Sequence, residues 1–163
     1  MSDDIYRPAA SILVLRPVEV CKPGGVCETI YSILLLHKPR KNDAWQLPQG
    51  GVEAGESVTE AALRELNEEA SLTGCTVLGV SARVYQYDFP ESFRRFRPDN
   101  VKGQRIEYVF ALAPKDAKVT VDGKEVDSSV WVDLSQLTQY IKRGEYVEIV
   151  QGLYEEAIER LKG

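Results

Sequence analysis

Between Gly50 and Leu72 the chain reads GGVEAGESVTEAALRELNEEASL, and the side chains in it that can do chemistry are carboxylates. Glu65, Glu68 and Glu69 follow one another closely, Arg64 stands beside them, and Glu53 and Glu56 lie in the glycine-rich turn ahead. Ser57 followed by Glu60 is a capping-box pattern, which predicts a helix that begins at Ser57. At about 100° per residue, Ala62, Leu63, Leu66 and Ala70 form an apolar stripe, and the three acids occupy an adjoining arc of roughly 100°. They therefore flank the core rather than point at bulk water. Glu60 to Arg64 and Arg64 to Glu68 are favourable pairs, whereas Glu65 to Glu69 is a like-charge pair that costs about 0.2 to 0.5 kcal/mol. No lysine or arginine sits one helical turn beyond any of the three. Two readings fit this spacing, a solvated acidic face and an oxygen site for a hard divalent cation.

Gly50, five residues, Glu56, seven residues and then Arg64-Glu65-Leu66-Asn67-Glu68-Glu69-Ala70-Ser71-Leu72 resembles the Nudix box. That pattern is G, five, E, seven, R-E-apolar-any-E-E-any-G-apolar. Every polar position matches, and Ser71 is the one departure, standing where the family has glycine. A left-handed residue other than glycine costs about 1 to 2 kcal/mol, so the helix is expected to run on to Thr73 and stop at Gly74. The resemblance implies an enzyme that hydrolyses phosphoanhydrides with Mg²⁺ or Mn²⁺. It assigns Glu65, Glu68, Glu69 and the Gly50 carbonyl as metal ligands, and Arg64 as the residue that pairs with a box glutamate and holds its orientation. One box glutamate is expected to double as the base for the attacking water. Glu56 is expected to be a partner in the neighbourhood of Arg64 or an outer-shell water binder.

Further stretches are similar to one Nudix subgroup, the asymmetric diadenosine tetraphosphate hydrolases and RNA 5′-pyrophosphohydrolases. They are Tyr6-Arg7-Pro8, Trp45 to Gly51, and Tyr87-Asp88-Phe89-Pro90 with Lys102-Gly103-Gln104. Glu125-Val126-Asp127 and Trp131 fall where the subgroup has E-F-x and then W-x-W, with Val130 in place of the first tryptophan. The resemblance implies a dinucleoside polyphosphate such as diadenosine tetraphosphate as the leading substrate, and the 5′ end of RNA as the alternative. Diphosphoinositol polyphosphate is a third, and a nucleotide-binding module without catalysis is the reading from another class. Substrate contacts are expected from Tyr87, Lys102, Arg40, Arg94 and Gln49. Lys41, Arg95 and Arg105 add positive charge, and Tyr87, Phe89, Phe93 and Phe96 are candidates to stack a base, worth about 1 to 3 kcal/mol each. The subgroup's extra glutamate, outside the box, falls near Asp116, where this chain has Lys118. Glu107 and Glu125 are the candidates to replace it.

These residues need elements to position them. Ala9 to Leu15 and Ile30 to His37 read as strands joined by a Pro/Gly loop from Pro17 to Glu28, and Lys38-Pro39-Arg40-Lys41 as a basic turn. Thr76 to Phe89 alternates as a strand, Glu91 to Gly103 has no period and reads as a loop, and Ile106 to Ala113 resumes as strand. An edge piece at Lys118 to Val121 and a short strand at Val130 to Val132 follow. Leu134 to Ile141, capped by Asp133 or Ser135, and a longer segment carrying Val147, Val150, Tyr154, Ala157, Ile158 and Leu161 read as helices. The order indicates an α/β protein with a mixed β-sheet covered on both faces. The resemblance implies the Nudix-type α/β/α sandwich.

At 163 residues and 44% hydrophobic content, residues 1–163 are expected to form a single domain. A net charge of −5 argues against indiscriminate binding to DNA or membranes, although a local basic patch can hold a phosphorylated ligand. Cys21, Cys27 and Cys75 are an odd count without a Cys-x-x-Cys pair; Cys21 and Cys27 bracket a Pro23-Gly24-Gly25 turn and could approach each other, but reduced thiols are the expectation. The N-terminus lacks the basic flank and long apolar core of a signal peptide, so the default location is cytoplasmic.

Overall fold

A computed structural model describes residues 5–39, 44–91 and 101–162. The chain is built around β1, Ile5–Cys21. Its apolar run is buried on both sides, Ala10, Ile12 and Val14 in one cluster and Ala9, Leu13 and Leu15 in the other. A strand covered on two faces has no reason to alternate with polar residues, hence the continuous run. Around it lie β2 (Cys27–His37), β3 (Trp45–Gln46), β4 (Gln49–Gly51), β5 (Thr76–Asp88), β6 (Val101–Leu112) and β7 (Ser128–Val132). The main order is β3-β2-β1-β6-β5, with β4 on β1 and β7 on β2. β1 and β6 run parallel and the other pairs antiparallel, so the sheet is mixed.

Helix α1, Val58–Ala70, covers one face through Ala61, Ala62, Leu66 and Ala70. The opposite face is covered by α2, Leu137–Tyr140, and α3, Gly144–Lys162, the latter through Val147, Val150, Leu153 and Ala157. The result is the expected α/β/α sandwich. The segment read as one helix from Leu134 divides into a 3₁₀ turn, Leu134–Gln136, and α2. Gln136 reaches back to the Asp133 N–H at 2.9 Å.

The sequence-based expectations need correction at several places. Residues 17 to 28 are not a loop: β1 and β2 continue as a hairpin arm paired from Pro17↔Tyr31 to Cys21↔Cys27. Pro17 is tolerated because the pairing with β6 has already ended at Leu15↔Leu112, leaving this side of the strand without a ladder to break. The same register sets Cys21 opposite Cys27 with their Cα atoms 3.9 Å apart, and the two form a disulfide rather than free thiols. Lys102 and Gly103, read as loop, belong to β6. Residues 118–121 form no strand; Thr120 N–H bonds the Ala70 carbonyl at 2.9 Å instead, while Val119 and Val121 pack on the α1 side.

Helix α1 also ends earlier than expected. Ser71 is its C-cap, left-handed at φ 53° and ψ 34°, with its N–H on the Asn67 carbonyl. The contact from Thr120 to Ala70 and the burial of Leu72 fix the chain on both sides of that residue, which offsets the strain of a left-handed serine. No described helix is long and apolar enough to cross a membrane.

Candidate active site

The site is assembled where α1 crosses β1, β4 and β6. Ser57 Oγ accepts from the Glu60 N–H at 3.1 Å and Glu60 returns the bond to Ser57 at 3.0 Å, so the start of α1 is fixed as the capping pattern predicts. Register then places Gly50 of β4 beside Ala10 of β1. The Glu65 carboxyl group fills the space above Gly50 so completely that a β-carbon at residue 50 would collide with its carbon and both oxygens.

Arg64 binds the turn to the helix. Its Nε and Nη2 grip Glu56 at 2.7 and 3.0 Å, a bidentate pair of the strong kind. Nη2 also donates to the Gly51 carbonyl at 2.8 Å, and Nη1 reaches Glu65 at 2.8 Å and Glu68 at 3.4 Å. Glu56 further accepts from the Glu53 N–H at 2.9 Å. The Arg64 guanidinium, helped by that N–H, holds the Glu56 carboxyl down at about 2, and Glu56 in turn raises the pKa of Arg64. Glu56 is thus the anchor of Arg64, the first of the two roles expected for it.

The three acids differ in environment. Glu68 is 58% exposed, so it faces water and only two of the three acids flank the core as expected. Glu65 is partly buried, and burial raises its pKa against the opposing pull of Arg64. Glu69 is 1% exposed. Its Oε1 accepts from the Gln49 N–H at 3.1 Å and its Oε2 faces Lys38 Nζ at 2.7 Å. Burial raises the pKa of Glu69, while Lys38 and Gln49 counter it. Lys38 Nζ also donates to the Gln49 carbonyl at 3.3 Å.

Lys38 was not among the residues singled out from sequence. Its only signal is the basic turn it opens, immediately after a strand buried on both faces. Of the two candidates for the extra glutamate, Glu107 stands in the row Gly50, Ala10, Glu107, on a strand whose Val109 and Ala111 pack toward α1. It pairs with Arg105 at 3.5 Å. Glu125 is exposed and close enough for its charge to raise the pKa of Glu69.

Among the expected substrate residues, Gln49 lies within the acid cluster through its backbone. Tyr87 lies on the other side of the sheet, packed against the α3 cluster, its hydroxyl donating to Gln104 at 2.7 Å. Tyr85 and Phe89 flank it at 5.7 and 5.8 Å between ring centres. Lys102 Nζ is 3.8 Å from Asp88, which accepts from the Tyr6 hydroxyl at 2.6 Å. Arg40 and Arg94 lie outside the described residues, as do Lys41, Phe93, Arg95, Phe96 and Arg97.

The NUDIX domain family matches residues 6–152, a span that contains all of this machinery. The chain belongs to the Nudix family. It is similar to the RNA pyrophosphohydrolase of Rhodospirillum rubrum, 34% identical over 125 residues, with 74% of this chain and 73% of the relative covered. The RNA pyrophosphohydrolase of Sulfurovum sp. is 28% identical over 160 residues, covering 94% of this chain and 96% of its own. A C. elegans Ap4A hydrolase binary complex shares the fold with a TM-score of 0.69 at 19% identity, covering 94% of this chain and 99% of that one. The Nudix fold and a Nudix pyrophosphohydrolase activity are thereby established.

The cluster suits the hard divalent ion on which Nudix enzymes typically depend. The donors are carboxylate and carbonyl oxygens with no thiolate or imidazole among them, matching magnesium rather than a softer metal. The absence of a side chain at Gly50 lets the Glu65 carboxyl group sit directly over the β4 backbone. Glu69 Oε2 is buried and accepts no well-aligned hydrogen bond from a described residue, its close neighbour being the Lys38 ammonium.

Proposed function

We propose that this Nudix pyrophosphohydrolase acts on the 5′ end of RNA, cleaving a phosphoanhydride of a 5′-triphosphorylated or capped terminus. The observation that carries this reading is the 34% identity to an RNA pyrophosphohydrolase across 74% of the chain. It takes precedence over the dinucleoside polyphosphate expected first from sequence, because the likeness to the Ap4A hydrolase, at 19% identity, speaks to fold alone.

Glu65, Glu68, Glu69 and the Gly50 carbonyl would hold Mg²⁺ or Mn²⁺. When bound, such an ion neutralises phosphate charge and lowers the pKa of water. The chain's own residues supply orientation and basicity. Arg64, anchored by Glu56, holds Glu65 over Gly50. One box glutamate would double as the base that takes a proton from the attacking water, and the differing burial of Glu65, Glu68 and Glu69 gives the three acids unequal surroundings for that role. Glu107, in the same row of the sheet as Gly50, supplies a further carboxylate. Tyr87 and Lys102 serve as substrate contacts at the far side and end of the sheet, with Arg40 and Arg94 on the segments that follow β2 and β5.

The test is a substrate panel at one enzyme concentration: a 5′-triphosphorylated oligoribonucleotide, diadenosine tetraphosphate and a diphosphoinositol polyphosphate, each with Mg²⁺ or Mn²⁺. Chromatography of products is expected to show the RNA turned over fastest, with a large loss for Glu69→Gln. Faster turnover of diadenosine tetraphosphate returns that substrate to first place. Equal rates for wild type and Glu69→Gln sink the assignment of the acids.

A further inference from the structure

The two oxygens of Glu69 are both engaged by the chain itself. One accepts from the Gln49 N–H at 3.1 Å and the other faces the Lys38 ammonium at 2.7 Å. The pair is sequestered, with side-chain exposures of 13% for Lys38 and 2% for Glu69. A second positive ion at the same carboxylate would therefore stand beside an ammonium where water screens little, and like charges at such separations repel strongly. One of the two must leave.

Lys38 is suited to leaving. Its backbone is held, the N–H on the Ala44 carbonyl at 2.8 Å, so the Cα stays at the edge of the site whatever the side chain does. Among the described residues the ammonium is tied only to Glu69 and, at a longer 3.3 Å, to the Gln49 carbonyl. A lysine is a compact charge on a flexible stem with no fixed fork to satisfy, in contrast to Arg64, whose guanidinium grips four partners at once. The two cations of the site thus have different characters, one fixed and one tethered.

We propose that Lys38 is a tethered counter-cation of the metal seat: a divalent ion takes Glu69 by displacing the Lys38 ammonium, which then pairs with the phosphates of the substrate. This rests on the reading of Glu69 as a metal ligand given above, and adds a second use for one charge. While Glu69 has no other cation, Lys38 neutralises it; once another arrives, the freed ammonium stands at the rim of the same site, where the phosphates must lie. Metal and substrate binding are then coupled through one side chain.

The test compares wild type with Lys38→Met, Lys38→Gln and Lys38→Arg, first in the absence of substrate and then in turnover of triphosphorylated RNA. Mn²⁺ uptake is followed by electron paramagnetic resonance of the free ion, and melting is recorded with EDTA and with Mn²⁺. Lys38→Met and Lys38→Gln are expected to bind Mn²⁺ about tenfold tighter, within the range of ordinary coupling between sites. They should melt lower than wild type in EDTA and recover with Mn²⁺, while the KM for triphosphorylated RNA rises. Lys38→Arg, which keeps the charge, should show no tightening. Lys38→Gln retains an N–H for the Gln49 carbonyl and serves if Lys38→Met does not fold. Mn²⁺ bound no tighter by the folded neutral variants overturns the inference and leaves the hydrolase reading standing. Wild-type protein that binds no Mn²⁺ overturns the metal seat, and the inference with it.

Discussion

The Glu65 carboxyl group occupies the place where a β-carbon of residue 50 would stand. Glycine at this position is therefore a requirement of the site rather than of the backbone, since β4 is an ordinary short strand. Gly50→Ala is expected to displace Glu65 and to destabilise the protein by about 1 to 3 kcal/mol, the usual cost of overfilling a packed region. Turnover assays on the folded variant should show nearly complete loss. A rate near wild type would mean that the acid can move without consequence.

Glu56 and Arg64 give a pH signature of their own. The folded pKa of Glu56, about 2, lies below its ordinary value of 4.5. The pair therefore contributes stability that is fully present above about pH 4.5 and is lost as pH falls toward 2. Melting temperatures of wild type and Glu56→Gln should differ by a constant amount at neutral pH and converge in acid.

Glu65 and Glu69 behave with the opposite sign, because burial raises their pKa values. In EDTA each binds a proton more readily folded than unfolded, so its contribution to stability grows as pH falls through its raised folded pKa. Protons also compete for the oxygens that would hold metal. Mn²⁺ affinity should accordingly weaken on acidification at a higher pH than it does for an exposed carboxylate site, as calorimetric titration across pH would show.

Ser71 carries a strained left-handed backbone at the end of α1. Ser71→Gly should relieve it and stabilise the protein by about 0.5 to 1 kcal/mol, somewhat less than the full penalty because glycine also loosens the unfolded chain. Chemical denaturation of the two proteins measures the difference directly. An unchanged midpoint would show that the cap from Asn67 and the burial of Leu72 already cancel the strain.

How much of this was legible in the sequence depends on how locally each feature is encoded. The start of α1 follows from a spacing of three residues and is where the pattern puts it, whereas of the three acids only Glu65 and Glu69 lie against the core and Glu68 faces water. The long buried strands announce themselves by composition. Pairing between distant segments is a different matter. Nothing near Lys38 reveals that its ammonium reaches Glu69, because the two lie far apart in the chain, one just after β2 and the other on α1, and only the fold brings them together. Pro17 and the Pro23-Gly24-Gly25 turn disguised a hairpin as a loop, and without that hairpin's register the meeting of Cys21 and Cys27 was only one possibility. The left-handed Ser71 is not legible locally, because Thr120 and Leu72 hold the chain in place from outside the helix.

The central position of β1 has a consequence for how the molecule comes into being. Its neighbour on one side is β6, parallel to it from Ile5↔Val101 to Leu15↔Leu112, and synthesis delivers β6 long after β1. Until then the stretch from Ala9 to Leu15 has half of its ladder unpaired and little to cover it. Such non-local pairing folds slowly and leaves sticky edges exposed in the meantime. A chain that ends before Val101 cannot complete this ladder, so the strand that anchors the finished enzyme is fully paired only when β6 arrives.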